Sequence, residues 1–173
     1  MKHNHKDKEA HWKAIRFLPF VFTIMLFLGA CSSVDCPLNS KVMSNYCFVK
    51  PNGTPDTLKD TFSVTALEWA NDTVVFNSGI NLSSFSVPMS NAEPEDVLLI
   101  SFKDTSSTVI YDTIWVEKTN YPHLESVDCN PKFFHTITKV RSTHNRIENI
   151  VINDNKVDYE SKENFHIHLS PYF

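Results

Sequence analysis

From Lys41 onward the chain is a run of short segments in which β-branched and aromatic residues alternate with polar ones. They cover residues 41–49, 57–67, 73–77, 83–89, 96–102, 108–118, 132–140, 147–153 and 164–170. Phe62, Val64 and Ala66 alternate with polar neighbours, as do Val109, Tyr111, Thr113 and Trp115, and then Phe165, Ile167 and Leu169. A period of two puts every second side chain on one face, which is the mark of a half-buried strand. No segment sustains a 3.6-residue period, and no internal repeat is found. Polar turn clusters separate the segments: "PNGTPD" (51–56), "ANDT" (70–73), "NAEPED" (91–96), "KDTSS" (103–107), "DCNP" (128–131) and "NDNK" (153–156). Strands spaced by about ten residues predict an all-β domain. The expected architecture is an antiparallel β-sandwich, immunoglobulin-like in the broad sense, with a small β-barrel as the alternative. After residue 30 only Gly53 and Gly79 remain, so turns with positive φ fall to asparagine. Asn71, Asn91, Asn130, Asn145 and Asn155 are the candidates.

The amino terminus has a different pattern. Residues 1–30 carry five basic and two acidic side chains, and an apolar run, "FLPFVFTIMLFL", occupies Phe17 to Leu28. As a helix this run would reach about 18 Å, too short for a hydrocarbon core of about 30 Å. A charged segment, a short apolar segment and small residues in that order predict a signal peptide over 1–30. "LGAC" (28–31) resembles the bacterial lipobox, which makes Cys31 the lipidated residue. A diacylglyceryl group on its sulfur and an acyl group such as palmitate on the new amino terminus would hold the protein firmly, because two or more chains are needed for stable anchoring. Residues 31–40 are then anchor and tether, and 41–173 the folded domain. A single acidic residue, Asp35, close behind Cys31 favours the periplasmic side of the outer membrane over surface exposure.

The remaining 143 residues carry 11 basic and 18 acidic side chains. An acidic body without basic runs excludes nucleic acid as a partner class. Cys36, Cys47 and Cys129 follow the anchor in an oxidising compartment. Cys36 and Cys129 sit beside prolines in turn-like sequence, whereas Cys47 lies in the apolar "NYCFV". A Cys36–Cys129 disulfide is therefore expected, with three free thiols as the alternative.

Candidate chemistry is sparse. His166 and His168 in "HIH" share one face of a strand, but a zinc site needs a third ligand, which only His123, His135 or His144 could supply. "NDNKVDYE" (153–160) lacks the glycine of a calcium loop. No G-x-S-x-G elbow or phosphate-binding loop occurs, so no catalytic residue, metal or cofactor is expected. Asp56-Thr57-Leu58, Asp72-Thr73-Val74 and Asp112-Thr113-Ile114 resemble the O-glycosylation sequon of exported Bacteroidetes proteins, which would put a glycan on Thr57, Thr73 or Thr113. The same tripeptide also arises wherever a turn ends in Asp and a strand begins with Thr.

The segments "CSSVDCPLN" (31–39), "SSFSVPMS" (83–90), "PEDVLLISF" (94–102) and "HLESVDCNPKFFHTI" (123–137) together resemble a family of uncharacterised Bacteroidetes lipoproteins, a domain of unknown function. The resemblance implies an envelope location, a β-rich domain and a structural role for Cys36 and Cys129. It brings no catalytic or binding residues. The functional expectation is an outer-membrane, non-enzymatic accessory or scaffold domain that binds another envelope protein through an exposed strand edge. A glycan- or small-molecule-binding domain is the alternative, which a concave patch from Trp69, Trp115, Tyr121 and Tyr172 would favour.

Overall fold

In a computed structural model the residues described are 42–67 and 71–171, all within a compact unit spanning 37–173. They form ten strands: β1 (Ser44–Phe48), β2 (Thr61–Leu67), β3 (Thr73–Gly79), β4 (Ser84–Val87), β5 (Glu95–Lys103), β6 (Val109–His123), β7 (Lys132–Ser142), β8 (Ile147–Ile152), β9 (Lys156–Val157) and β10 (Phe165–Leu169). The nine expected strands are all present, and β9 is an addition. Two sheets result, one ordered β4-β1-β10-β8 and the other β3-β2-β5-β6-β7-β9. The all-β sandwich is thus the fold. All pairings are antiparallel except β1 with β10, which run parallel with Tyr46 opposite Phe165.

The chain passes repeatedly between the sheets, so neither is built from one continuous stretch. Their inner faces meet in an aromatic core. The Tyr46 ring is stacked between Phe85 and Phe165, at centroid distances of 4.7 and 4.5 Å. Phe62 packs edge-on against Phe48 and Phe102. Phe62, Val64 and Ala66 face this core, as their alternation predicts, and so do Phe165 and Ile167.

On β6 the observed face is the opposite of the alternation read from the sequence. Val109 and Tyr111 are exposed, whereas Asp112, Ile114 and Val116 point inward. The positive-φ positions also differ from the five asparagines proposed. Among the described residues they are Asn81, Ser107 and Gly53. Asn81 lies in the connection from β3 to β4, and Ser107 in the tight β5–β6 turn, where its amide donates to the Asp104 carbonyl. Backbone closure sets these positions, and the five asparagines lie in connections that turn without it.

The six-stranded sheet curls. Val75 on β3 and Lys132, Phe133 and His135 on β7 line one groove although β2, β5 and β6 lie between them in the sheet. The predicted signal segment 1–30, Cys31, Cys36 and the tether 31–40 lie outside the described residues.

Candidate functional site

The groove at the mouth of the curled sheet is the most site-like feature. It has a volume of about 660 Å³ and a mixed lining, in which Val42, Met43, Met89 and Phe133 stand beside the polar Asn91 and Lys132. His135, buried on β7, contributes to the lining. Its Nδ1 is 2.8 Å from Asn120 Oδ1. Asn120 Nδ2 donates to the carbonyls of Asn91 and Glu93, so Oδ1 must accept and His135 Nδ1 must carry the proton. Neutral His135 then keeps Nε2 as an acceptor. Burial, and secondarily the charge of Lys118, pushes its pKa down to about 4.

Behind His135 lies a buried ion pair. Lys118 Nζ is 3.1 Å from Asp96 Oδ2 and donates to the Glu93 carbonyl at 2.8 Å. Asp96 also accepts from the Ser90 amide. Together with Asn120, these contacts pin the 88–94 connection between β4 and β5 across β6. Paired and hydrogen-bonded charges are the form in which burial is tolerated.

A second polar centre sits on the outer face of the four-stranded sheet. Strand register aligns Ser84, Cys47, His166 and Val151 across it. The Cys47 thiol hydrogen-bonds Glu163, and Glu163 Oε2 is 2.9 Å from His166 Nε2. The hydrogen bond to His166 holds the Glu163 carboxyl below its usual range. Partial burial, together with Glu163, pushes the Cys47 pKa up to about 11. The carboxylate lies between thiol and imidazole, so the imidazole is not placed to take the thiol proton. This is the reverse of a nucleophilic Cys–His arrangement.

A third centre is structural. Asp112, fully buried on β6, accepts from Thr143 Oγ1 at 2.6 Å and from the amides of Asn145, Arg146 and Ile147 at 2.7–2.9 Å. It closes the turn that carries the chain from β7 in one sheet to β8 in the other. Beside that turn Arg146 donates to the Ser170 carbonyl and lies 3.9 Å from Asp60. The groove there, of about 650 Å³, has a mixed lining of Lys50, Lys59, Asp56, Asp60 and Glu148.

A family model described as a family of unknown function matches residues 61–169, more than half of the chain. The chain belongs to DUF6452. No curated protein and no solved structure matches it. The DUF6452 match runs from the first residue of β2 to the last of β10, and it includes His135, Asp96, Lys118 and Asp112.

The residues singled out in this DUF6452 sequence are scattered by the fold. His166 and His168 lie half-buried on the outer face of β10, an inner strand and not an edge. His135 is in the interior, His123 stacks on Phe134 at 4.3 Å, and His144 Nδ1 meets the carbonyls of Ile147 and Glu148. Among the described residues no group of three His, Cys, Asp or Glu side chains is placed to hold a metal ion. In "NDNKVDYE", Asp154 and Asp158 accept backbone amides two residues on, which makes local turns. Thr57 and Thr73 are exposed, whereas Thr113 is half-buried in mid-strand with its amide on Thr143 Oγ1. Trp115 lies under the Arg141 guanidinium at 4.3 Å, and Arg141 also pairs with Glu95. Tyr121 stands further along β6 beside Phe134. These two form no concave patch, and Trp69 and Tyr172 lie outside the described residues. Cys47 is a free thiol, and Cys129 is not one. The pairing expected for Cys129 involves Cys36, outside the described residues.

Asp96 and Lys118 were not singled out from sequence, and His135 and Asp112 only in other roles, as a possible zinc ligand and as part of a glycosylation tripeptide. The available signal was a charge or imidazole at an inward-facing position of a strand, at even-numbered positions 112 and 118 on β6. It becomes readable only once the inward face is known.

Proposed function

We propose that this chain is a lipid-anchored, non-enzymatic accessory domain of the bacterial outer membrane, facing the periplasm, which binds another envelope protein along the free edge of β3. The anchor reading rests on the "LGAC" motif and the short apolar run before it. The edge reading is carried by β3 itself. Its sequence TVVFNSG has no charged residue or proline, and Val74 is 56% and Ile80 just beyond it 66% exposed. Edge strands are ordinarily guarded by charge, proline or bulges. This edge has two register shifts against β2 but no charge. The shifts shorten the run available for backbone pairing, so the side chains of Val74 and Ile80 carry much of the contact. The protonated thiol at Cys47 supports a non-enzymatic role. A Cys36–Cys129 disulfide fits the same reading, since lipid on Cys31 and a free thiol at Cys47 leave Cys36 as the remaining cysteine.

A photo-cross-linking residue at Val74 or Ile80, introduced in cells, is expected to capture one envelope protein that the same probe at Lys139 does not. Equal capture at all three positions, or none with the protein anchored, would remove the edge reading. The second reading is a small-molecule site in the groove, favoured by a lining that sets Val42, Met43 and Phe133 beside Asn91, Lys132 and the His135 imidazole. It calls for a ligand with an apolar body and polar groups at its margin.

A further inference from the structure

The β6–β7 connection, residues 124–131, exposes apolar side chains without covering them. Val127 is 97% and Leu124 64% exposed, and Tyr121, near the end of β6, is exposed too. The strands that carry the connection are braced by a ring cluster. Phe134 packs against His123, Tyr121 and Tyr159, at centroid distances of 4.3 to 6.0 Å. Two apolar residues thus stand exposed on a connection whose flanking strands are braced.

The described chain begins at the same end of the domain. Val42 and Met43, the first described residues, share a groove with Pro131, two positions beyond Cys129. Val42 lies eleven positions beyond Cys31, a reach of at most about 38 Å fully extended. A Cys36–Cys129 bridge shortens it further. Five residues span about 17 Å, and a disulfide joins Cα atoms about 6 Å apart. By contrast β6 is 15 residues long and separates the two ends of the domain by about 45 Å. A lipid on Cys31 therefore holds the 124–131 end toward the membrane, and the opposite turn at 104–108 is out of reach of it.

We propose that the 124–131 connection rests on the bilayer, with Leu124 and Val127 inserted at the boundary of headgroups and acyl chains. This rests on the lipid-anchor reading above. The charge of the loop selects the surface. Glu125 and Asp128 are its charged residues, so it suits zwitterionic headgroups and is repelled by anionic ones.

The test uses the lipidated protein, purified in detergent and reconstituted into phosphatidylcholine vesicles with or without brominated acyl chains. Val127→Trp is compared with Thr105→Trp in the opposite turn, each as the difference from the parent protein. Both sites are exposed, so neither change disturbs the core. The tryptophan at 127 is expected to emit further to the blue and to be quenched by the brominated lipid, and that at 105 to do neither. Adding anionic lipid should weaken the quenching at 127. If the protein floats with the vesicles but 127 is no more quenched than 105, the proposal is overturned and the anchor stands. Protection of the loop from protease in intact envelopes, without quenching in vesicles, would likewise overturn it by placing a protein there. If the protein does not float with vesicles, the anchor reading fails and the proposal falls with it.

Discussion

Asp112 sits where a carboxylate is expensive, and four donors on the β7–β8 turn make it the turn's organising group. Charged hydrogen bonds are worth more than neutral ones, and removing the acceptor strands several buried donors at once. Asp112→Ala is expected to lower stability by about 3 to 5 kcal/mol, read as a shift of the urea midpoint at unchanged slope. A loss below about 1 kcal/mol would mean that water takes over the turn amides. The same residue explains why alternation alone picks the wrong face of β6. Ile110, Ile114 and Val116 alternate as cleanly as Val109, Tyr111 and Trp115, and an aspartate among the former gives the latter the pattern of a core face. Hydrophobic pattern cannot reveal that a charge is buried when the donors that permit it lie about thirty residues away, at 143–147. By contrast Phe62, Val64 and Ala66 were legible because no polar residue shares their face.

At the scale of elements, the 88–94 connection shows how a loop is fixed without regular structure. Lys118 reaches back to Asp96 and the Glu93 carbonyl, and Asn120 holds the carbonyls of Asn91 and Glu93. Breaking a buried pair leaves one charge uncompensated, whereas replacing both partners with apolar groups is often neutral. Lys118→Met is therefore expected to cost about 3 to 5 kcal/mol, and Lys118→Met with Asp96→Leu to recover most of it. Hydrogen exchange supplies a local check, because the Ser90 amide donates to Asp96 and should lose protection in the double variant, which removes that acceptor. Equal costs for the single and double variants would show that the pair contributes through packing alone. Strand positions were legible here because alternation and turn residues are local signals. Pairing was not, and neither β9 nor the parallel β1–β10 contact has a local signature. β9 consists of two residues beside β7, and β1 meets a partner more than one hundred positions away.

For the whole molecule, the interior responds to acid through His135. Its folded-state pKa of about 4 lies below the ordinary value of about 6.5, so the unfolded chain binds the proton more readily between the two. The contribution is fully present above about pH 6.5, declines as the pH falls and is gone once it passes through about 4. The loss amounts to at most about 3 kcal/mol. Urea midpoints from pH 7.5 to 4 should show this decline in the parent and a flatter profile in His135→Gln; identical profiles would place the acid sensitivity elsewhere. The interleaving of the two sheets bears on timing as well. β1, near the start of the domain, lies between β4 and β10, and Tyr46 completes its stack only when Phe165 arrives. Loop closure over such a separation is slow, and contacts of this kind dominate the rates of all-β domains. A chain emerging amino-terminus first cannot finish its smaller sheet until its last strand is delivered. Under the envelope reading proposed above, the domain would stay open for threading across a membrane until β10 had passed.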